Sequence, residues 1–350
     1  MKLENLPPKI DLETVPVLKQ LSLTYRALSE LKGYSSTIPN KNILINAVTL
    51  NEAKDSSEIE NIITTHDELF KAMSIENYVN PSAKEVVNYR SAIWYGYEFI
   101  KENNFISTNS IIDIQQFIES NRAGIRKLPG TTLKNDSTGE IIYTPPQTED
   151  EILNLMTNLE NYINEDQSVD PLIQLAVIHY QFESIHPFYD GNGRTGRIIN
   201  VLFLVLKNLL DSPILYLSKY IIKNKNDYYK GLQDVRTKNG WEKWIIYMLK
   251  AIEDTSIETL VLIKEINLAI NMTIEEIKIQ LPRIYSKELV ELLFFEFYTK
   301  ISYIQNSLNV SRRTASDYLI NLEKNGFLFS EKIGKEKIYI NKKLFDIVQN

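Results

Sequence analysis

Near the middle of the chain, His186, Asp190, Arg194 and Arg197 fall within twelve residues around the turn Gly191-Asn192-Gly193. Glycines just ahead of a helix let backbone N–H groups turn toward one centre, and a helix N-terminus favours an anion there. Arg194 and Arg197 are three apart, so they share a helical face over that centre. Two guanidiniums beside an amide nest suit a polyphosphate. Asp190 adds a hard oxygen that can hold Mg²⁺, an ion that takes one or two carboxylates plus phosphate oxygens. His186 supplies a group that takes a proton near neutral pH. Alone, each piece is ordinary: a tight turn, a cap, a packed imidazole. Together they point to nucleotide-dependent group transfer.

These residues need a scaffold, and the rest of the chain describes one. It has 350 residues, 43% of them hydrophobic and 24% charged, which is enough for about two domains with buried cores. The net charge of −6 gives no whole-chain preference for nucleic acid or anionic membrane. Cysteine is absent, which excludes disulfides and thiolate metal sites and fits a cytoplasmic location. The start carries acidic residues and prolines where a signal peptide has an apolar run. Ile198 to Leu210 is interrupted by Asn200, Lys207 and Asn208, so it reads as a core helix and no membrane span is expected.

Helical spacing marks Val17 to Lys32, stopped at Gly33, then 42–71, Ser82 to Lys101, and a helix capped by Asn109 or Ser110 that ends near Asn121. Glycines and prolines cluster over 124–147. There, Thr131-Thr132-Leu133 and Ile141-Ile142-Tyr143-Thr144 flank the turn-forming run Asn135 to Gly139, the pattern of a β-hairpin. Helices follow over Glu149–Ile163 and from Asp170, a cap ahead of Pro171, to Ile185. The next begins at Arg194, then 218–232, 241–272 and 285–298. The helices 301–308 and 311–325 and the short strands 327–329 and 337–340 complete the outline of a winged helix.

The run His186-Pro187-Phe188-Tyr189-Asp190-Gly191-Asn192-Gly193-Arg194, with Arg197, resembles the Fic family, whose signature is HPFx(D/E)GNGRxxR; every specified position matches. The resemblance implies a mainly α Fic-fold core with the loop between two central helices, and transfer of AMP from ATP to a Ser, Thr or Tyr hydroxyl of a target protein. By resemblance, His186 deprotonates that hydroxyl and Asp190 binds Mg²⁺. Gly191, Asn192, Gly193, Thr195 and Gly196 help hold ATP, and Arg194 and Arg197 neutralise the leaving pyrophosphate. Gly193 disfavours the phosphotransferring Doc branch, which has Lys there.

Ser56-Ser57-Glu58-Ile59-Glu60-Asn61 similarly matches (S/T)xxxE(G/N), the family's inhibitory helix, placed at about 49–63. Ser56 and Glu60 are i and i+4 and share a face. The resemblance implies that Glu60 reaches Arg197 and competes with the γ-phosphate. It also makes the hairpin, 128–146, a flap that accepts the target as an extra strand through Thr131, Thr132, Leu133, Ile141, Ile142 and Tyr143. Tyr229, in a downstream helix, is the expected adenine contact, and a homodimer is a family expectation. The overall plan is closest to the SoFic type: an N-terminal helical region over 1–105, a catalytic core over 106–275 and a winged helix over 284–350. That last segment has ten Lys and Arg against eight Asp and Glu, with Arg312 and Arg313 opening its recognition helix. A nucleotide-sensing DNA-binding regulator is therefore the alternative to the enzyme, as is an enzyme that mainly removes AMP. His66 and His179 lack metal-ligand spacing and read as structural, and Trp241 and Trp244 as core.

Overall fold

The computed structural model describes residues 3–38, 40–75, 80–134, 138–165, 168–333 and 336–349. These residues are mainly helical. The N-terminal part holds α1 (Val15–Ser35), α2 (Lys41–Ile59), α3 (His66–Ser74) and α4 (Pro81–Asn103). The middle holds α5 (Thr108–Glu119), the hairpin β1 (Leu133–Lys134) and β2 (Ile141–Tyr143), then α6 (Glu149–Asn164), α7 (Pro171–Ile185) and α8 (Asn192–Leu206). Then follow α9 (Ser218–Lys223), α10 (Lys225–Lys238) and α11 (Trp241–Gln280). The C-terminal part is α12 (Lys287–Phe295), β3 (Tyr298–Thr299), α13 (Ile301–Leu308), α14 (Arg312–Lys324), β4 (Leu328–Ile333), β5 (Glu336–Asn341) and α15 (Lys342–Gln349). No helix among the described residues is long and apolar enough to cross a membrane.

α7 is the axis of the core. Every residue from Leu172 to Ile185 is buried, because α6, α8 and α11 all pack on it. Asp170 caps it by accepting from the Leu172 N–H at 2.8 Å, and Pro171 occupies its first turn. Trp241 and Trp244 are buried as expected, and the indole of Trp244 donates to the Ala176 carbonyl at 2.8 Å. His179 is buried between Tyr228 (2.8 Å) and Asn200 (3.0 Å), and burial lowers its pKa to about 3, so it is a neutral structural imidazole. His66 likewise pairs with the Asn51 side chain at 2.9 Å.

The expected helix over 42–71 is broken. α2 stops at Ile59 because Asn61 takes a left-handed backbone (φ +62°). Thr65 then starts α3 with a capping box to Glu68. Ser107, rather than Asn109 or Ser110, caps α5. α1 runs through Gly33 to Ser35, and α8 begins two residues before Arg194. The helix expected over 218–232 is split at Asn224, whereas α11 continues as one helix of 40 residues.

In the hairpin, Leu133 pairs with Tyr143 and Lys134 with Ile141, leaving Thr131 and Thr132 outside the strand; the turn at Asn135–Ser137 lies outside the described residues. In the C-terminal part, the expected helix 285–298 ends at Phe295, and Tyr298–Thr299 forms a third strand. The sheet order is β3-β5-β4, with Tyr298 opposite Ile340 and Ser330 opposite Tyr339. This part docks on α2 and α3: Asn46 donates to the Phe295 carbonyl (2.6 Å), Phe70 stacks on Phe297 (4.4 Å), and Tyr298 donates to Asp67 (2.5 Å).

Candidate active site

α7 ends because His186 adopts a left-handed backbone (φ +50°), its N–H still donating to the Phe182 carbonyl at 3.0 Å. The loop that follows is closed by Asn192, whose Oδ1 accepts from the Phe188 N–H and whose Nδ2 donates to the Phe188 carbonyl, both at 2.9 Å. Phe188 is fully buried beside Phe182 and anchors the loop in the core. Asn192 was expected to hold phosphate; both its side-chain polar groups instead brace the loop, which leaves only its backbone for an anion.

Arg126 supplies a second brace that no sequence pattern marks. Its side chain is buried; its Nε donates to the His186 carbonyl at 2.8 Å, and Nη2 to the carbonyls of Pro146 and of Ile185 (3.4 Å). One guanidinium thus ties the end of α7 to the base of the hairpin. The Tyr189 hydroxyl accepts from the N–H groups of Lys127 (3.0 Å) and Leu128 (3.2 Å), and Gln115 donates to the Asp190 carbonyl at 3.1 Å. The His186 ring is largely enclosed and its Nδ1 has no protein partner. Burial, followed by the charge of Arg126, lowers its pKa to about 4, so the imidazole is neutral at pH 7 and available as a base.

The anion-facing side is the first turn of α8. Gly191 is its cap residue at φ +79°, a conformation that costs glycine little. No side chain caps the N–H groups of this turn, so they remain available to an acceptor. Gly193 makes room for Glu60: a Cβ there would overlap Glu60 Oε1 and lie 2.9 Å from Arg197 Nη1. Thr195 and Gly196 face the other way. Thr195 is fully buried, and a Cβ on Gly196 would meet Glu183 Oε1 at 2.7 Å and Phe182 at 3.0 Å. Their close packing lets α8 lie near α7.

The two arginines diverge. Arg194 is held by Glu119 (2.5 Å) and Glu85 (3.2 Å), with Asp190 at 3.9 Å. Arg197, with its side chain only 1% exposed, donates through Nε to Ser56 Oγ (2.7 Å) and through Nη2 to the Ser56 carbonyl and Glu60 Oε1, both 2.9 Å. Glu60 is the residue just past α2, and its side chain keeps 38% of its surface open. Desolvation opposes its charge, but Arg197 outweighs that and holds the carboxyl below the usual range. The same pair raises the Arg197 pKa despite burial. Lys225 closes α2 by donating to the Ile59 carbonyl at 2.9 Å. Asn61 is exposed and serves the chain reversal.

Of the remaining expected residues, Asp190 presents a side chain 76% exposed at the mouth of the loop. Tyr143 donates to the Ser184 carbonyl at 3.0 Å and lies under Arg236 at 3.9 Å, so the hairpin is anchored at the end of α7. Ile141 and Ile142 are exposed, while Thr131, Thr132 and Leu133 are half-buried. Tyr229 is exposed beside the buried Tyr228. Arg126, Glu119 and Lys225 escaped the sequence reading because each lies far along the chain from the loop it serves.

Residues 18–98 match the Fic/DOC family N-terminal model, and residues 269–344 match that of the SoFic-like protein adenylyltransferase C-terminal domain. A probable protein adenylyltransferase of Aquifex aeolicus is 38% identical over 68 residues, covering 19% of this chain and 21% of that protein. The protein adenylyltransferase Fic of Culex quinquefasciatus is 26% identical over 136 residues, or 38% of this chain and 25% of that one. The matches thus span about a fifth to a quarter of these relatives' length. A Fic family protein of Desulfovibrio desulfuricans has a TM-score of 0.60 over 96% of this chain and 98% of its own, at 17% identity. Fic-1 of C. elegans has 0.55 over 71% and 74%, at 19% identity; at such identities the likeness is one of fold. With family-model matches at both ends, a Fic fold shared along nearly the whole chain and a complete signature loop between them, the chain is similar to Fic proteins along its length.

Proposed function

We propose that the protein is a self-restrained protein adenylyltransferase, moving AMP from ATP to a Ser, Thr or Tyr hydroxyl of a target protein. The observation that carries this reading is the Glu60 carboxylate on Arg197 at 2.9 Å, beside a neutral, enclosed His186. A bare nucleotide sensor needs no such base. The neutral imidazole takes the proton of the target hydroxyl as its oxygen attacks the α-phosphorus. The bond from that phosphorus to the bridging oxygen breaks, and pyrophosphate leaves. The free N–H groups of α8 and, once Glu60 moves, Arg197 stabilise the charge that develops on the phosphates. Arg194 steers the loop through Glu85 and Glu119, and reaches phosphate only by exchanging those partners.

Asp190 fits a Mg²⁺ site of the sparse kind: its carboxylate is open to solvent. Among the described residues no cluster of three or more His, Cys, Asp or Glu offers a protein cage. Mg²⁺ arriving with a triphosphate needs only one or two carboxylates and would neutralise phosphate charge there. The hairpin, pinned by Tyr143 and Arg126, offers a strand edge for a target segment, and Tyr229 an exposed ring for adenine. The arrangement of α12–α14 and the β3-β5-β4 sheet, with Arg312 and Arg313 exposed at the start of α14, supports a second role as a winged helix that contacts DNA. Incubation with α-labelled ATP and Mg²⁺ tests the main reading. Label on protein should rise in Glu60→Gly and vanish when His186→Ala is added. Nucleotide binding without label in either form would favour the sensor.

A further inference from the structure

A cleft of about 600 Å³ lies between the N-terminal segment, the end of α7 and the last turn of α10. No residue from His186 to Arg197 lines it, so it is separate from the anion-facing turn of α8. The segment that forms its outer wall is pinned. Asn158 holds both backbone groups of Leu6, at 2.7 and 3.1 Å, and Gln181 donates to the Glu4 carbonyl at 2.9 Å. The volume is that of a small-molecule site. The walls are aromatic and aliphatic: Trp241 and Tyr180 meet edge to face at 4.8 Å, Tyr143 lines the hairpin side, and Leu6 and Val235 are buried.

The charged groups are mainly basic: Lys9, Arg236 and Lys238 line the cleft against one carboxylate, Glu4. Lys238 is held by Asp234 at 2.7 Å, an exposed pair that exchanges at little cost. Arg236 is half-buried and its neighbours are neutral. It lies over the Tyr143 ring at 3.9 Å, Nη2 donates to the Ser184 hydroxyl at 3.3 Å, and Nε is buried without an acceptor. Glu183 senses its charge, but burial lifts that carboxyl to about 7, which makes it a weak counter-ion. The last turn of α10 also lines the cleft, and its carbonyl end carries about half a negative charge, less than the full charge of Arg236. A partly buried cation without a counter-ion is costly, and an anion bound beside it offsets that cost. We propose that this cleft binds a small aromatic carboxylic acid, its ring among Trp241, Tyr180 and Tyr143 and its carboxylate on Arg236. A planar guanidinium suits a carboxylate, and aromatic walls suit a flat apolar body. Arg236 also holds Tyr143 of the hairpin and Ser184, two residues before His186, so a ligand that fixes Arg236 fixes the hairpin base as well. The inference concerns this cleft alone and stands whether or not the chain transfers AMP.

Calorimetry of the full chain with 2-naphthoate, and with its neutral isostere 2-naphthamide, tests it. The acid should bind at a single site, at least about tenfold more tightly than the amide. Arg236→Gln should bring the acid down to the affinity of the amide and leave the amide unchanged, which also shows the cleft intact. Lys9→Glu combined with Lys238→Glu, both at exposed positions, should weaken the acid by about three- to tenfold. Saturating ATP with Mg²⁺ should not displace the acid, and bound acid should slow hydrogen exchange over residues 141–144. No saturable binding of the acid below about 5 mM overturns the proposal. So does equal affinity for acid and amide, an acid affinity that Arg236→Gln leaves unchanged, or displacement of the acid by ATP. Unaltered exchange over 141–144 overturns the link to the hairpin.

Discussion

Replacing Glu60 by Gly removes the only carboxylate that hydrogen-bonds Arg197 among the described residues. An exposed ion pair contributes about 0–1 kcal/mol, and the motif alone suggests a pair of that kind. The tertiary structure changes the estimate, because Arg197 is only 1% exposed while Glu60 keeps 38%. A charge-assisted hydrogen bond contributes about 1.5–3 kcal/mol when shielded; discounted for the open carboxylate, the loss is about 1–2 kcal/mol. For a chain of this size that lowers Tm by about 2–4 °C. The same 1–2 kcal/mol is what a γ-phosphate must displace to reach Arg197, a factor of about 5–30 in occupancy of the productive state. Misplacing the α-phosphate by about 1 Å costs on the order of a further 10²-fold in rate. Glu60→Gly should therefore raise label transfer from α-labelled ATP by about 500- to 3000-fold, with Glu60→Gln in between because it keeps the bulk without the charge. Transfer would be followed by intact-protein mass spectrometry, and ATP affinity by calorimetry. The reasoning fails if the Gly variant binds ATP no differently and gains no label, or if Gln releases activity as fully as Gly.

Adding His186→Ala to Glu60→Gly should lower transfer by about 10²–10⁴-fold while ATP still binds. In Glu60→Gly the acid limb of kcat/KM should sit well below the ordinary histidine value, since free His186 is lowered to about 4 and stays neutral above it. Arg126→Ala leaves the carbonyls of His186 and Pro146 without their donor. It should cost about 2–4 kcal/mol in denaturant unfolding and speed hydrogen exchange around Pro146. Glu52 is buried among the Tyr89 and Ser218 donors, and burial lifts its carboxyl from 4.5 to about 7. Its contribution is full below the unfolded value and is lost as pH rises through 7. Glu52→Gln should therefore gain stability relative to wild type by up to about 3 kcal/mol between pH 4 and 8, seen as converging or crossing melting curves.

The chemistry was written locally and could be read locally. The loop from His186 to Arg197 is contiguous, so residue type and spacing alone identify an imidazole, an amide turn and two cations. α7 and its Asp170-Pro171 cap are likewise local signals, as is the strand pairing of the hairpin. What spacing could not decide was which way each side chain faces. Arg194 and Arg197 lie on one helix three residues apart, yet Glu85 and Glu119 claim the first and Ser56 and Glu60 the second. Those partners lie 75 to 141 residues away along the chain, on α2 or just past its end, on α4 and on α5. Asn192 turned inward because the backbone of Phe188 was left unpaired by the sharp loop. The break after Ile59 depended on one left-handed residue and a capping box, which helical periodicity does not register. Composition and short-range pattern thus determined the reactive groups. Burial, and the charges that the fold brings from distant segments, decided which of them are held, which are free and how strongly the site is restrained.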